Sequence, residues 1–396
     1  MEKDERYMTD DVADLMDDIA ITKEEIESSI SLGGSDWTSD TIANQIRKGN
    51  IKLDPKFQRR DAWTQKRKSA FVESLVLNLP VPQIVLAEHK GEKGKYIVID
   101  GKQRLLTLVQ FFGLQGYKPL KLNKLTVLKD LNGKTYGQIK SNLTLSDYIA
   151  SFENATIRTV VIKNWKRDNI LYDIFLRLNS NSVGLSPQEL RQALHPGNFT
   201  YFAEEFTSSN KYLLKMFNNK EPDFRMRDIE LFIRYVAFSL RIGSYSGNYK
   251  VFLDDTCVML NKDWDNYEEV VKHQADQFNV ACKTTYDIFR DNAFRKWLGA
   301  AYENRFNRAV FDVMAYYFSD DRIVEAALQN KSAVEDAFRK VCANFEFLQS
   351  IERTIKSISA TSARLSLWGE ALKTALPGCD IVIPSISGGA RDDKKI

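Results

Sequence analysis

Apolar positions along the chain change period once. In the first 165 residues they come in short β-rich or helical blocks broken by polar turns, and from Asp168 onward they recur every three to four residues. Tyr96-Ile97-Val98-Ile99 and Ile157-Arg158-Thr159-Val160-Val161-Ile162 read as strands, and Pro80-Val81-Pro82 leads into a third at Ile84-Val85-Leu86. Between them, Leu105, Leu106, Leu108, Val109 and Phe112 fall at helical spacing, and helices are expected over residues 38–47 and 65–78. Ile51-Lys52-Leu53 reads as an extended piece stopped by Pro55, and residues 123–143 as an insertion forming a short hairpin or a loop over a site. Ser186-Pro187-Gln188-Glu189 is a capping box with proline at the first helical position. Further helices are expected over 226–240, 267–292, 304–318, 320–328 and 333–358. The pattern predicts an α+β protein: an acidic arm (1–35), an α/β domain (36–165), an α-helical domain (166–376) and a flexible tail (377–396).

Composition narrows the class. With 396 residues the chain is long enough for two or three domains. No run approaches the ~18 apolar residues of a membrane span, and the N-terminus is acidic where a signal peptide would be basic and then apolar, so a cytoplasmic protein is expected. Cys257, Cys282, Cys342 and Cys379 lie far apart, which suggests buried thiols rather than a zinc site or disulfide framework. The net charge of +3 hides an asymmetry: the first 30 residues hold eleven carboxylates against Lys3, Arg6 and Lys23. Such an arm reads as a solvated tail, a partner-binding segment, or a mimic covering a basic groove, and Val12, Leu15, Met16 and Ile19 share one face of a short helix. Lys66-Arg67-Lys68 and Lys118, Lys121 and Lys124 form basic runs near Phe57, Trp63 and Tyr117, a composition that suits nucleic acid. The near-neutral overall charge does not by itself argue for a dedicated DNA binder.

The candidate chemistry lies where a strand runs into a helix, at Asp100-Gly101-Lys102-Gln103-Arg104. The first N–H groups of a helix have no carbonyl to meet and carry the positive end of its dipole, which favours an anion there. Arg104 adds a fork of donors suited to phosphate. The plainer reading is that Asp100 caps the helix and Arg104 pairs with a carboxylate.

Further segments follow a definite order around this junction: Phe57-Gln58-Arg59 with Trp63, the Pro80-Val81-Pro82 lead-in, Phe175-Leu176-Arg177-Leu178-Asn179, and Gln188-Glu189-Leu190-Arg191. Together they resemble the GmrS-type family, the bacterial domain of unknown function 262, whose fold is similar to the ParB and sulfiredoxin N-terminal domain. The resemblance covers roughly residues 37–195. One departure stands out, since Lys102 occupies the first glutamine of the family's Asp-Gly-Gln-Gln-Arg. The resemblance implies nucleoside triphosphate binding and hydrolysis with Mg²⁺. Asp100, Gln103 and Arg104 would be catalytic, with Asp100 also holding the metal. Gln58, Arg59, Gly101, Lys102, Arg104, Arg177, Asn179 and Arg191 would bind nucleotide, and Lys66, Arg67 and Lys68 DNA. It further implies the sensing component of an anti-phage restriction system, with a separately encoded nuclease or toxin as effector, DNA as a possible partner, no membrane, and a possible homo-oligomer.

Many relatives carry a His-Asn-His nuclease module, which needs a histidine base and metal ligands. Here the only histidines are His89, His195 and His273, none with metal-ligand spacing, so loss of that module is expected. Asp254-Asp255 with Glu268-Glu269 reads as a solvated helix flank. The alternatives are a non-enzymatic nucleotide- or DNA-binding module that docks a toxin or nuclease, and a stand-alone nuclease.

Overall fold

The computed structural model describes residues 30–53, 62–179, 186–352 and 355–386. The first unit is built on strands β1 (Ser31–Thr38), β2 (Ile84–Glu88), β3 (Tyr96–Asp100) and β4 (Thr156–Lys163), which form one mixed sheet in the order β1-β4-β2-β3. β2 and β3 are an antiparallel hairpin, β2 runs parallel to β4, and β1 lies antiparallel along β4 from Ser31↔Lys163 to Thr38↔Thr156.

Side-chain alternation on the strands sorts the two faces. Ile84, Leu86, Val98, Ile157 and Val161 point into a core with helices α1 (Ser39–Arg47), α2 (Gln65–Val76), α3 (Lys102–Phe112), α4 (Tyr136–Lys140) and α5 (Ser146–Asn154). Val85, Ala87, Ile97, Ile99 and Ile162 point the other way, against α6 (Asp168–Asn179) and α7 (Pro187–Leu194). Strands buried on both faces read as continuous apolar runs, which is why β2 and β3 stood out in the sequence.

β1 did not. Its Ser31 to Asp36 stretch is exposed, so no alternation marks it, and Gly33 and Gly34 argue against a strand; pairing with β4 alone defines it. β1 therefore begins before Trp37, inside the segment expected to be an arm. The insertion also differs from expectation. It is neither a simple hairpin nor a free loop: Leu122, Leu125, Leu131 and Ile139 are buried in the α-side core, although Leu122 does pair with Gly133 and Lys134 through two backbone hydrogen bonds of 2.7 and 2.9 Å. Glu73 of α2 holds it. Its carboxylate accepts from the backbone N–H groups of Thr126 (3.3 Å), Val127 (2.9 Å) and Leu128 (2.8 Å) and from the Thr126 hydroxyl (3.2 Å).

The second unit, His195–Asp223 with Arg227–Ile396, is helical, and the first is Met1–Leu194 with Phe224–Met226. The boundary drawn at residue 165 thus moves to Leu194, because α6 and α7 bury their apolar faces on the sheet. In the second unit come α8 (Asn198–Ser208), α9 (Lys211–Met216), α10 (Arg227–Arg241), α11 (Tyr249–Lys262), α12 (Trp264–Phe289), α13 (Arg308–Tyr317) and α14 (Asp321–Gln329). The single helix expected over 333–358 is broken. α15 (Lys331–Cys342) ends, Asn344 accepts from Phe347 N–H at 3.0 Å to start α16 (Phe345–Glu352), and Ser357 accepts from Ala360 N–H at 3.1 Å to start α17 (Ile358–Ala375). The tail is partly packed: Ile381 is buried, while 387–396 lie outside the described residues.

A buried charge knot ties this unit together. Arg234 of α10 binds Asp312 of α13 through two bonds of 2.6 and 2.7 Å, and Arg364 of α17 reaches the same carboxylate at 3.4 Å and the Tyr249 hydroxyl at 2.6 Å. Burial alone would disfavour charge on Arg234, but Asp312 outweighs it and holds the guanidinium protonated, its pKa above the ordinary value. Asp254 is likewise buried, bonded by Lys250 at 2.9 Å with His195 at 3.9 Å, and so is not the solvated flank expected. Asp255 is exposed, as expected of a flank, and Glu268 and Glu269 both pair with Lys272. Three of the cysteines are buried, and Cys379 is half-exposed.

Candidate functional site at the β3–α3 junction

β3 ends at Asp100, and the chain leaves the sheet through Gly101 at φ +100° before α3 begins. A Cβ here would lie 3.1 Å from Ile84 Cγ1 and 3.3 Å from both Arg104 Nε and Nη2. The position therefore needs glycine twice over, for its backbone angle and for the guanidinium folded against it. Because the cap is glycine, it offers no side chain to the first N–H groups of α3, and among the described residues no side-chain cap bond forms there.

Arg104 closes the junction from one side. Its Nη2 donates to Asp100 Oδ2 at 2.7 Å and to the Gln83 carbonyl at 2.9 Å, joining the exit of β3 to the approach to β2. Its Nε is buried and meets no acceptor among the described residues. Gln103 faces the segment ahead of α2, its Oε1 accepting from Trp63 N–H at 3.3 Å. The Trp63 ring lies edge-on to Phe71 at 5.7 Å, with the Arg67 guanidinium 4.7 Å from its centroid.

Lys102 does something else. It is buried and its Nζ binds Glu189 Oε1, while Glu189 Oε2 accepts from Ser186 N–H at 2.7 Å and Glu189 N–H donates to Ser186 Oγ at 3.1 Å. The capping box is thus present, and the lysine that departs from the family pattern is matched by the glutamate of Gln188-Glu189-Leu190-Arg191. Sequence spacing held no sign of this pairing across 87 residues. Its charge is met inside the domain by Glu189, a structural role that the sequence did not assign to it.

The returning helices bring mixed outcomes. Arg191 is buried, its Nη1 donating to Gln188 Oε1 at 2.6 Å. Arg177 stands exposed and pairs with Asp173 one turn back at 2.7 Å. Asn179 is the last residue of α6, and Gln58 and Arg59 lie outside the described residues. The basic run also divides. Lys66 and Arg67 are exposed on the first turn of α2, but Lys68 is buried and donates to Gln110 Oε1 at 2.7 Å, so it does not face a DNA backbone.

Of a metal centre, the junction offers one carboxylate, Asp100; among the described residues no group of three or more His, Cys, Asp or Glu side chains stands together to hold an ion. Mg²⁺ fits such a place only in its usual manner, through one carboxylate with waters and the phosphates of a bound nucleotide. Among the described residues no helix is long and apolar enough to cross a membrane.

Sheet, helices on both faces and a strand-to-helix turn lined by Arg104 at the end of an edge strand define a mixed α/β domain. Residues 40–196 match the family described as GmrSD restriction endonuclease, N-terminal domain, a match that supports a GmrS-type domain in this part of the chain. The match relates the chain to restriction systems through that domain. No curated protein and no solved structure matches it.

Proposed function

We propose that the protein binds a nucleoside triphosphate at the β3–α3 junction and hydrolyses it, acting as the sensing component of a bacterial anti-phage restriction system whose effector is separately encoded. The observation that carries this reading is Arg104: a guanidinium beside a helix N-terminus with a glycine cap, its Nε buried and lacking an acceptor among the described residues. A phosphate oxygen supplies that acceptor. In the structure Arg104 also neutralises Asp100. A polyphosphate competes for the guanidinium, and Asp100, released, becomes a carboxylate able to orient water. Gln103, accepting from Trp63 N–H, ties the same turn to the segment just ahead of α2. Mg²⁺, when bound, neutralises charge building on the phosphate oxygens; Asp100 is the residue that would hold it. Nucleotide occupancy then changes the Arg104 contacts with Asp100 and Gln83, a local switch of the kind that alters an interface with DNA or a partner.

The direct test is turnover of the four common ribonucleoside triphosphates with Mg²⁺, with and without phage DNA, comparing the wild type with an Asp100→Ala, Arg104→Ala double variant. Turnover above background that disappears in the variant supports the reading. Equal background rates, with nucleotide still bound by the wild type, support a binding module that docks its effector without hydrolysis. That second reading is favoured by the engagement of Lys102 with Glu189.

A further inference from the structure

Between Leu114 and Lys134 the chain carries five lysines against one carboxylate, Asp130. This stretch lies along α2: Gln65 Nε2 donates to the Lys121 carbonyl, and Asn123 N–H donates to Ser69 Oγ at 3.0 Å. Leu122 pairs back onto Gly133 and Lys134, which brings Lys121 and Lys134 side by side; the Lys121 Cε lies 3.9 Å from a Cβ position at Gly133. Lys66, Arg67, Lys121, Lys124 and Lys129 are exposed and Lys134 half-buried. Among the described residues none of the six has a carboxylate partner; elsewhere in this unit Lys90, Lys140 and Arg177 pair with Asp168, Glu153 and Asp173, while Lys48, Lys52, Lys93 and Lys163 are unpaired but do not stand in such a cluster. The nearest inward carboxylate, Glu73, is taken by the insertion's own backbone. On the same insertion Val127 stands 63% exposed.

We propose that the ridge is the docking surface of the chain's own N-terminal segment, residues 1–29. Charge complementarity is the first argument. Eleven carboxylates against three cations leave that segment at −8, and since the whole chain is +3, the remainder carries +11. Val12, Leu15, Met16 and Ile19 add an apolar stripe that suits Val127. Reach is the second. A flexible chain of that length has an end-to-end distance of about 30 Å and extends to roughly 95 Å, against a radius of gyration of about 15 Å for a domain the size of the first unit. Tethering is the third, because a linked segment acts at an effective concentration of about millimolar and outcompetes free polyanions of similar charge. The segment covers the basic surface until a longer polyanion displaces it. This goes beyond the nucleotide reading and does not depend on it.

The test is zero-length carbodiimide coupling of the wild-type chain, which joins carboxylates to lysine amines in contact, read by mass spectrometry of peptides. Carboxylates of residues 1–29 are expected to couple preferentially to Lys66, Lys121, Lys124, Lys129 and Lys134 at low salt, with yields falling several-fold at about 0.5 M salt. A Lys121→Glu, Lys124→Glu variant, which changes exposed side chains only, should lose those products while keeping its thermal midpoint. Coupling spread over all exposed lysines, or absent, overturns the proposal. So does coupling found only between chains in a mixture of ¹⁴N- and ¹⁵N-labelled protein. Protection of the ridge lysines from acylation only when duplex DNA is added would assign the surface to nucleic acid instead.

Discussion

Gly101 and Lys102 are neighbours, yet they illustrate opposite limits of reading a motif. Gly101 was legible, since an apolar strand running into a helix requires a residue tolerant of φ near +100°, and the structure has one there. Gly101→Ala is expected to destabilise the first unit by about 1–3 kcal/mol and to push Arg104 off Asp100. Chemical denaturation reads the first effect and a nucleotide-binding titration the second; unchanged values for both would mean that the turn relaxes freely. Lys102 read as a phosphate ligand because cations near a helix N-terminus suit anions. Only the tertiary structure shows its partner, Glu189, buried with it. Removing one member of a buried ion pair leaves the other unmatched, so Lys102→Met should cost about 3–5 kcal/mol. A double Lys102→Met, Glu189→Gln variant should recover part of that loss. If Lys102→Met instead leaves stability intact and abolishes nucleotide binding, the lysine is a ligand after all.

At the scale of elements, the sequence was readable where side chains were buried with a period, and unreadable where backbone pairing or polar anchoring did the work. α1, α2, α3 and strands β2 to β4 fall close to where the pattern put them, because each buries an apolar stripe or alternation. β1 buries little and exists through its ladder with β4. The insertion depends on Glu73, a residue that reads as an ordinary polar position of α2. Burial works against its ionisation, but the hydrogen bonds from Thr126, Val127 and Leu128 outweigh that and hold the carboxyl below its ordinary value of 4.5. A depressed folded-state pKa means that the stabilisation is complete above pH 4.5 and is lost as pH falls through the folded value. Glu73→Gln should therefore lower stability at neutral pH and flatten the acid limb of the stability profile. Amide exchange at Val127 and Leu128 should quicken in the variant; if protection there is unchanged, the insertion is held by its buried leucines alone.

Taken whole, the chain carries two cores, each closed by charged groups distant in sequence. In the first unit Lys102 meets Glu189, and in the second Arg234, Tyr249, Asp312 and Arg364 converge from α10, α11, α13 and α17. Periodicity cannot reveal such partners, because each of these residues interrupts an apolar face that reads equally well without it. Two guanidinium groups share the single Asp312 carboxylate, so Asp312→Asn strands both in the protein interior. A loss of about 3–5 kcal/mol in the second unit is expected from an uncompensated buried charge. Scanning calorimetry of the full chain distinguishes whether the two cores are separate cooperative units. Two transitions are expected, with Asp312→Asn lowering one midpoint and Lys102→Met the other, and with nucleotide raising only the transition that Lys102→Met moves. A single transition lowered by both variants would mean that the two cores unfold together, and that the charge knot of the helical unit also supports the β3–α3 junction.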